Sequence, residues 1–231
     1  MPQVIFENET YTGKELSPDE EAILRKAVGV DRGGGFLAAK GSFYDQLLRD
    51  NFDRVRASLM VAKERLDAPF TGLSASDSEL GIQKIRPGHI LRDAAATEDA
   101  LNSWSFSFTT AGDYYVGYDA SNTTAVNIDK EACLLVLGVM FTQGSQPVVE
   151  DLLIQVGSIT YPIVPIRDAW AADNAFGVRG VPIRPIILVP KATTLWRTYS
   201  IAAGVNELVL LGVTFGFGRY LRTQIYTTIS T

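Results

Sequence analysis

The chain holds almost none of the residues that staple, ligate or shuttle protons: among 231 residues there is one cysteine, Cys133, and one histidine, His89. A single cysteine excludes an intramolecular disulfide framework, and one Cys with one His excludes a zinc centre of the usual composition. A Ser-His-Asp or Cys-His catalytic unit would have to use His89. The stretch IRPGHILRD, however, sets that residue far in sequence from Cys133 and from any serine in a nucleophile-elbow context. The acids Asp113, Asp119 and Asp129 lack the spacing of a calcium loop. We therefore expect His89 to be a polar loop or interface residue and Cys133 to be a buried inert thiol within ACLLVLGVMF. No enzymatic turnover, cofactor or metal is expected.

Basic excess is missing too. The net charge of -5 and pI near 5.0 argue against direct nucleic-acid binding, which needs a basic face to displace counterions. No apolar run approaches the roughly 18 residues that would span a bilayer. The start MPQVIFENETYTGKEL has neither the basic residues nor the apolar core of a signal peptide, so synthesis in the cytoplasm and no membrane partner are expected. The glycine-rich stretch DRGGGFLAAKGS, Asp31 to Ser42, lacks glycine directly before Lys40 and a hydroxyl directly after it. It reads as a hinge between helices rather than a phosphate loop.

What is present divides near residue 100. The first 100 residues carry 13 Lys/Arg and 17 Asp/Glu, the remaining 131 only 8 and 9. Ser17-Pro18-Asp19-Glu20 predicts a helix start with a capping box, and Gly29 is placed to end that helix. A second helix is expected as one continuous element over 43–66. Tyr44, Leu48, Phe52, Val55, Leu59, Ala62 and Leu66 form an apolar seam along it. With glycines before and a turn-rich stretch after, the seam residues Leu48, Phe52, Val55 and Leu59 are expected to form a protein interface with neighbouring subunits. Residues 71–100, holding Gly72, the SASDS cluster and Pro87-Gly88, read as a linker.

From Trp104 onward the period is two. Trp104, Phe106 and Phe108 alternate with serine and threonine. Further strands are expected at 114–118, 124–128, 133–142, 149–156, 159–166, 183–189, 195–201, 208–217 and 221–228. Such a run without intervening helices points to a mainly β fold, an antiparallel β-sandwich or jelly roll over 101–231, preceded by a helical N-terminal arm over 1–70. One long break, 167–180, is read as a recognition loop carrying Trp170, Asn174, Phe176 and Arg179. That mixture suits a protein contact or a glycan.

This layout, with strands such as EDLLIQVGSITYPIVPI, RPIILVPKATTLWRTYSI and GVNELVLLGVTFGFGRYLR, resembles jelly-roll virion structural proteins of bacterial or archaeal viruses. The resemblance implies a non-enzymatic capsid, capsid-decoration or neck/tail component located in the virion. Its partners would be itself, as a homo-oligomer, and other virion proteins. A carbohydrate- or receptor-binding module of a tail or neck is the alternative. Residues 1–70 hold 10 basic and 12 acidic side chains, which departs from the basic genome-binding arm of some capsid proteins.

Overall fold

The capping box expected at Ser17 forms. In the computed structural model, Ser17 Oγ accepts the Glu20 N–H at 3.3 Å and the Glu20 carboxylate accepts the Ser17 N–H at 2.8 Å, opening α1 (Pro18–Val28); Gly29 closes it in the left-handed conformation. The structure describes residues 2–6, 9–31, 35–73, 75–90, 104–115, 126–141, 146–176 and 180–226. A hairpin of β1 (Gln3–Phe6) and β2 (Glu9–Thr12) precedes α1.

The single helix expected over 43–66 is two: α2 (Phe43–Asp50) and α3 (Phe52–Leu66), separated at Asn51. The Asn51 side-chain amide donates to Leu47 O at 2.9 Å, the carbonyl that its own N–H also reaches at 3.2 Å, and the chain restarts there. The seam survives the break because both segments lie on one apolar surface.

The expected linker contains structure. After α3 come β3 (Phe70–Gly72), β4 (Leu80–Lys84) and a short 3-10 turn, Pro87–His89; residues 91–100 lie outside the described residues. Then follow β5 (Ser105–Phe108), β6 (Gly112–Tyr115), β7 (Val126–Asn127), β8 (Ala132–Phe141), β9 (Val149–Val156) and β10 (Ile159–Thr160). The chain continues through α4 (Ile166–Phe176), β11 (Gly180–Leu188), β12 (Thr193–Ser200), β13 (Gly204–Phe217) and α5 (Gly218–Tyr226). The fold is mainly β, and among the described residues the ladders are antiparallel except for the parallel pair β3–β4. Two expectations fail at the ends of strands. The segment read as a loop over 167–180 is largely α4, and the strand read at 221–228 begins inside α5.

Two large sheets result. One runs β10-β9-β12-β6 with β7 also on β12; the other runs β11-β8-β13-β4-β3 with β5 also on β13. Among β5, β6 and β8–β13, pairing runs outside-in. β5 pairs with β13, β6 with β12, β8 with β11 and β9 with β10.

The larger sheet is buried on both faces. Cys133, Leu135, Leu137, Val213 and Phe215 pack under α1–α3, while Leu134, Val136, Leu208 and Leu210 meet Leu152, Ile154 and Trp196 of the other sheet. Side chains alternate across a strand, so a run such as ACLLVL feeds both cores at once. A bulge keeps both faces apolar. Leu211 faces Gly138 but Gly212 faces Val136, leaving Leu137 as the extra residue, after which Val139 again points to the inter-sheet core. Only glycine fits at 212, because a Cβ there would stand 1.9 Å from Leu135 O.

The seam is therefore part of the chain's own core. Leu48, Val55 and Leu59 are fully buried against the larger sheet, and Phe52 is partly buried in the same cluster, held beneath the Arg25 guanidinium at 5.4 Å. The interface role expected for these four residues is corrected accordingly: the sheet's second apolar face, which strand periodicity alone does not reveal, takes up the seam. α1–α3 are a layer of the fold, not an arm.

One polar junction fixes that layer. Glu20, besides closing the capping box, accepts the Lys63 ammonium at 2.6 Å and the Phe70 N–H at 3.0 Å, and Lys63 also donates to Glu15 O at 3.0 Å. Both side chains are buried. Burial alone would raise the Glu20 carboxyl, but Lys63 and the Phe70 and Ser17 N–H groups outweigh it and hold it below the ordinary carboxylate value.

Removing one partner of a buried pair is costly, so Lys63→Met should destabilise the protein by about 3 kcal/mol in urea unfolding. Because the folded value is lowered, the Glu20 contribution is complete above the unfolded carboxylate range and fades as pH falls through the folded value. The acid limb of the stability profile should therefore flatten in Lys63→Met, and an unchanged limb would count against the junction. A fragment of residues 101–231 loses β3, β4 and the whole helical layer. Exposing Cys133, Leu135, Leu137, Val213 and Phe215, it should be insoluble or lack a cooperative thermal transition by circular dichroism.

Candidate functional site

Of the residues expected to form a recognition loop, the structure places Trp170 on α4, half-buried and packed against the inter-sheet core. Asn174 and Phe176 fall in the last turns of the same helix, and Arg179 lies outside the described residues. α4 sits where the two sheets open toward each other, beside β9 and β11.

Prolines build the surface next to it. β10 stops at Thr160; Pro162 and Pro165 cannot donate to a ladder, and between them Val164 makes a two-way bridge with Leu152, at 2.9 Å in each direction. The chain then turns into α4 at Ile166, which is fully buried. Opposite, β11 bulges between Pro182 and Ile186. Between these walls lies an apolar notch of about 160 Å³ lined by Tyr161, Ile163, Pro165, Pro182, Ile183 and Arg184. Ile163 is 55% exposed at its rim. Arg167 and Glu150 approach to 3.8 Å near the start of α4.

Among the described residues, the notch lining contains no carboxylate and no histidine. Its volume matches one aliphatic or aromatic side chain, and the prolines withhold backbone donors, so it suits a packed side-chain contact. Sequence reasoning found Trp170 but missed these walls. The available signal was the Pro162 and Pro165 pair cutting short a strand-like run.

The lone histidine and cysteine lie in the interior. His89 is fully buried, its Nδ1 accepting the Arg86 N–H at 3.2 Å and lying 2.8 Å from Thr214 Oγ1, with its ring 5.7 Å from that of Tyr220. Cys133 is fully buried and burial pushes its thiol up to about 12. Among the described residues no three His, Cys, Asp or Glu side chains are grouped closely enough to hold a metal ion. Tyr114, beside the β5–β6 turn, differs. Hydrogen bonds with the Thr109 and Thr110 hydroxyls at 3.3 and 3.1 Å, and from the Thr110 N–H at 3.0 Å, draw its phenol down to about 8. Burial raises Tyr44 far above the usual phenol range, and burial with the neighbouring Glu9 carboxylate does the same to Tyr11.

Alkaline titration followed by phenolate absorbance should accordingly show one tyrosine ionising near pH 8, absent in Tyr114→Phe, with two that ionise only on unfolding. With a folded value below the unfolded one, Tyr114 adds stability as pH rises from about 8 to the ordinary phenol value and loses it on the way back down. Cys133 should react with a thiol reagent only at the rate of global unfolding. No family model, curated protein or solved structure matches this chain.

Proposed function

We propose that the chain is a jelly-roll structural subunit of a virus particle that assembles with copies of itself and with other particle proteins. The observation that carries this reading is the outside-in pairing of eight strands, β5 with β13, β6 with β12, β8 with β11 and β9 with β10, with successive partners alternating between two facing sheets. A long hairpin folded over itself produces that order, and it is the plan of jelly rolls, a fold used in capsid and lectin domains. Fold alone does not specify function, so the surface must supply the rest.

Support comes from how the apolar surface is distributed. The helical seam is spent internally, but Ile163 at the notch, Leu73, Val205 and Ile5 stand more than half exposed on separate parts of the molecule. A notch and several apolar projections at different positions suit head-to-tail contacts of the kind that build rings and shells. The α4 notch and the sheet edges are the surfaces assigned to assembly in this reading, in place of the seam.

Size-exclusion chromatography with light scattering tests it directly. The purified chain should form a discrete homo-oligomer or larger closed assembly, and Ile163→Asp should shift it toward monomer by roughly tenfold in dissociation constant while leaving the thermal transition unchanged. A chain that stays monomeric at every concentration, alone and at assembly-promoting ionic strength, sinks the proposal.

A further inference from the structure

The larger sheet has an incomplete edge. β3 pairs with β4 only at Leu80 and Gly81, through Phe70 and Gly72, whereas β4 continues to Lys84. The Ile85 N–H points inward to Gly212 O at 3.2 Å. Backbone direction alternates along a strand, so Lys84 turns its own N–H and C=O the other way, where no described strand lies beside it. Arg86 ends the edge, since its N–H is taken by His89.

A cleft of about 450 Å³ follows this edge, with Ile82, Gln83, Lys84, Ile85 and Arg86 along one side. Phe36, Leu73, Trp104 and Val209 supply apolar surface, with Phe36 and Leu73 exposed. Its charge is of one sign. Among the described residues, Lys84, Arg86 and Arg222 line it with no carboxylate, on a protein whose net charge is -5. Arg222 is already engaged by Asp77 and by Ala75 O, whereas Lys84 and Arg86 make no ion pair with any described residue. Lys84 is positioned by Tyr44, whose ring centre lies 5.3 Å from its Nζ.

From this edge and this charge we infer that the β4 cleft is a strand-addition site for an extended acidic segment of a partner protein, with apolar side chains at alternate positions. The backbone of such a segment completes the ladder at Lys84. Its alternate apolar residues meet Trp104 and Leu73, and its carboxylates face Lys84 and Arg86. The same two cations repel a second copy of this edge, which is how an open edge avoids pairing with itself. The inference rests on the edge and its charge and stands or falls independently of the particle reading.

Two fluorescein-labelled synthetic peptides, EVDLEVD and its basic counterpart KVKLKVK, test it on the full chain by fluorescence anisotropy. The acidic peptide should bind, with affinity falling as salt rises, and the basic one should not. Its binding should slow hydrogen exchange of the Lys84 amide. Reversing both charges, Lys84→Glu with Arg86→Glu, should weaken the acidic peptide by about tenfold or more and admit the basic one. Both side chains are exposed, and an unchanged thermal transition verifies that the variant is folded. The inference is overturned if neither peptide binds, if both bind equally, or if the acidic peptide binds without protecting the Lys84 amide.

Discussion

A sheet that is apolar on both faces must be covered twice, and β8 and β13 impose that condition on the whole molecule. Their residues alternate between two interiors, Leu134, Val136, Leu208 and Leu210 on one side and Cys133, Leu135, Val213 and Phe215 on the other. At ~25 cal/mol per Å² of apolar surface, neither face can stand in water. The β9–β12 sheet covers one and α1–α3 cover the other. The bulge at Leu137 follows from the same condition. Without it, Val139 would fall on the helical side and a hole would open between the sheets.

Apolar burial does not say how a helical layer is oriented, since a seam of leucines can slide. The Glu20–Lys63 junction supplies the missing specification. It joins the first turn of α1, the last turns of α3 and the first residue of β3 through hydrogen bonds that hold in one arrangement only. A buried pair contributes little net stability relative to a well-packed apolar pair, but a misdocked layer would leave both charges buried and unmatched. The penalty on the alternatives is what makes the native arrangement unique.

Much of this was legible in the residues. The capping box at Ser17 and the strands β8, β9, β12 and β13 follow from local chemistry and period, and both survive in the structure. The seam over α2 and α3 was legible as apolar but its partner was not, because what it meets is the reverse face of strands far along the chain, β8 and β13. β3 and β4 are too short, at three and five residues, to show a period. α4 was hidden by its composition. Ile166, Ala169 and Trp170 have helical spacing, but the polar residues and aromatics around them read as a loop. The candidate notch was hidden for a related reason: its walls come from two segments that only the fold brings together.

The placement of β13 has a consequence for how the chain is made. β4, and through it β3, joins the sheet by pairing with residues 213–217, so the scaffold under α1–α3 is finished only by a segment that leaves the ribosome long after those helices. Until then the leucines of α2 and α3 have no complete sheet to meet. Synthesis at about 5–20 residues per second leaves this apolar surface uncovered for many seconds. An apolar surface left open over such an interval is exposed to aggregation until the sheet closes over it.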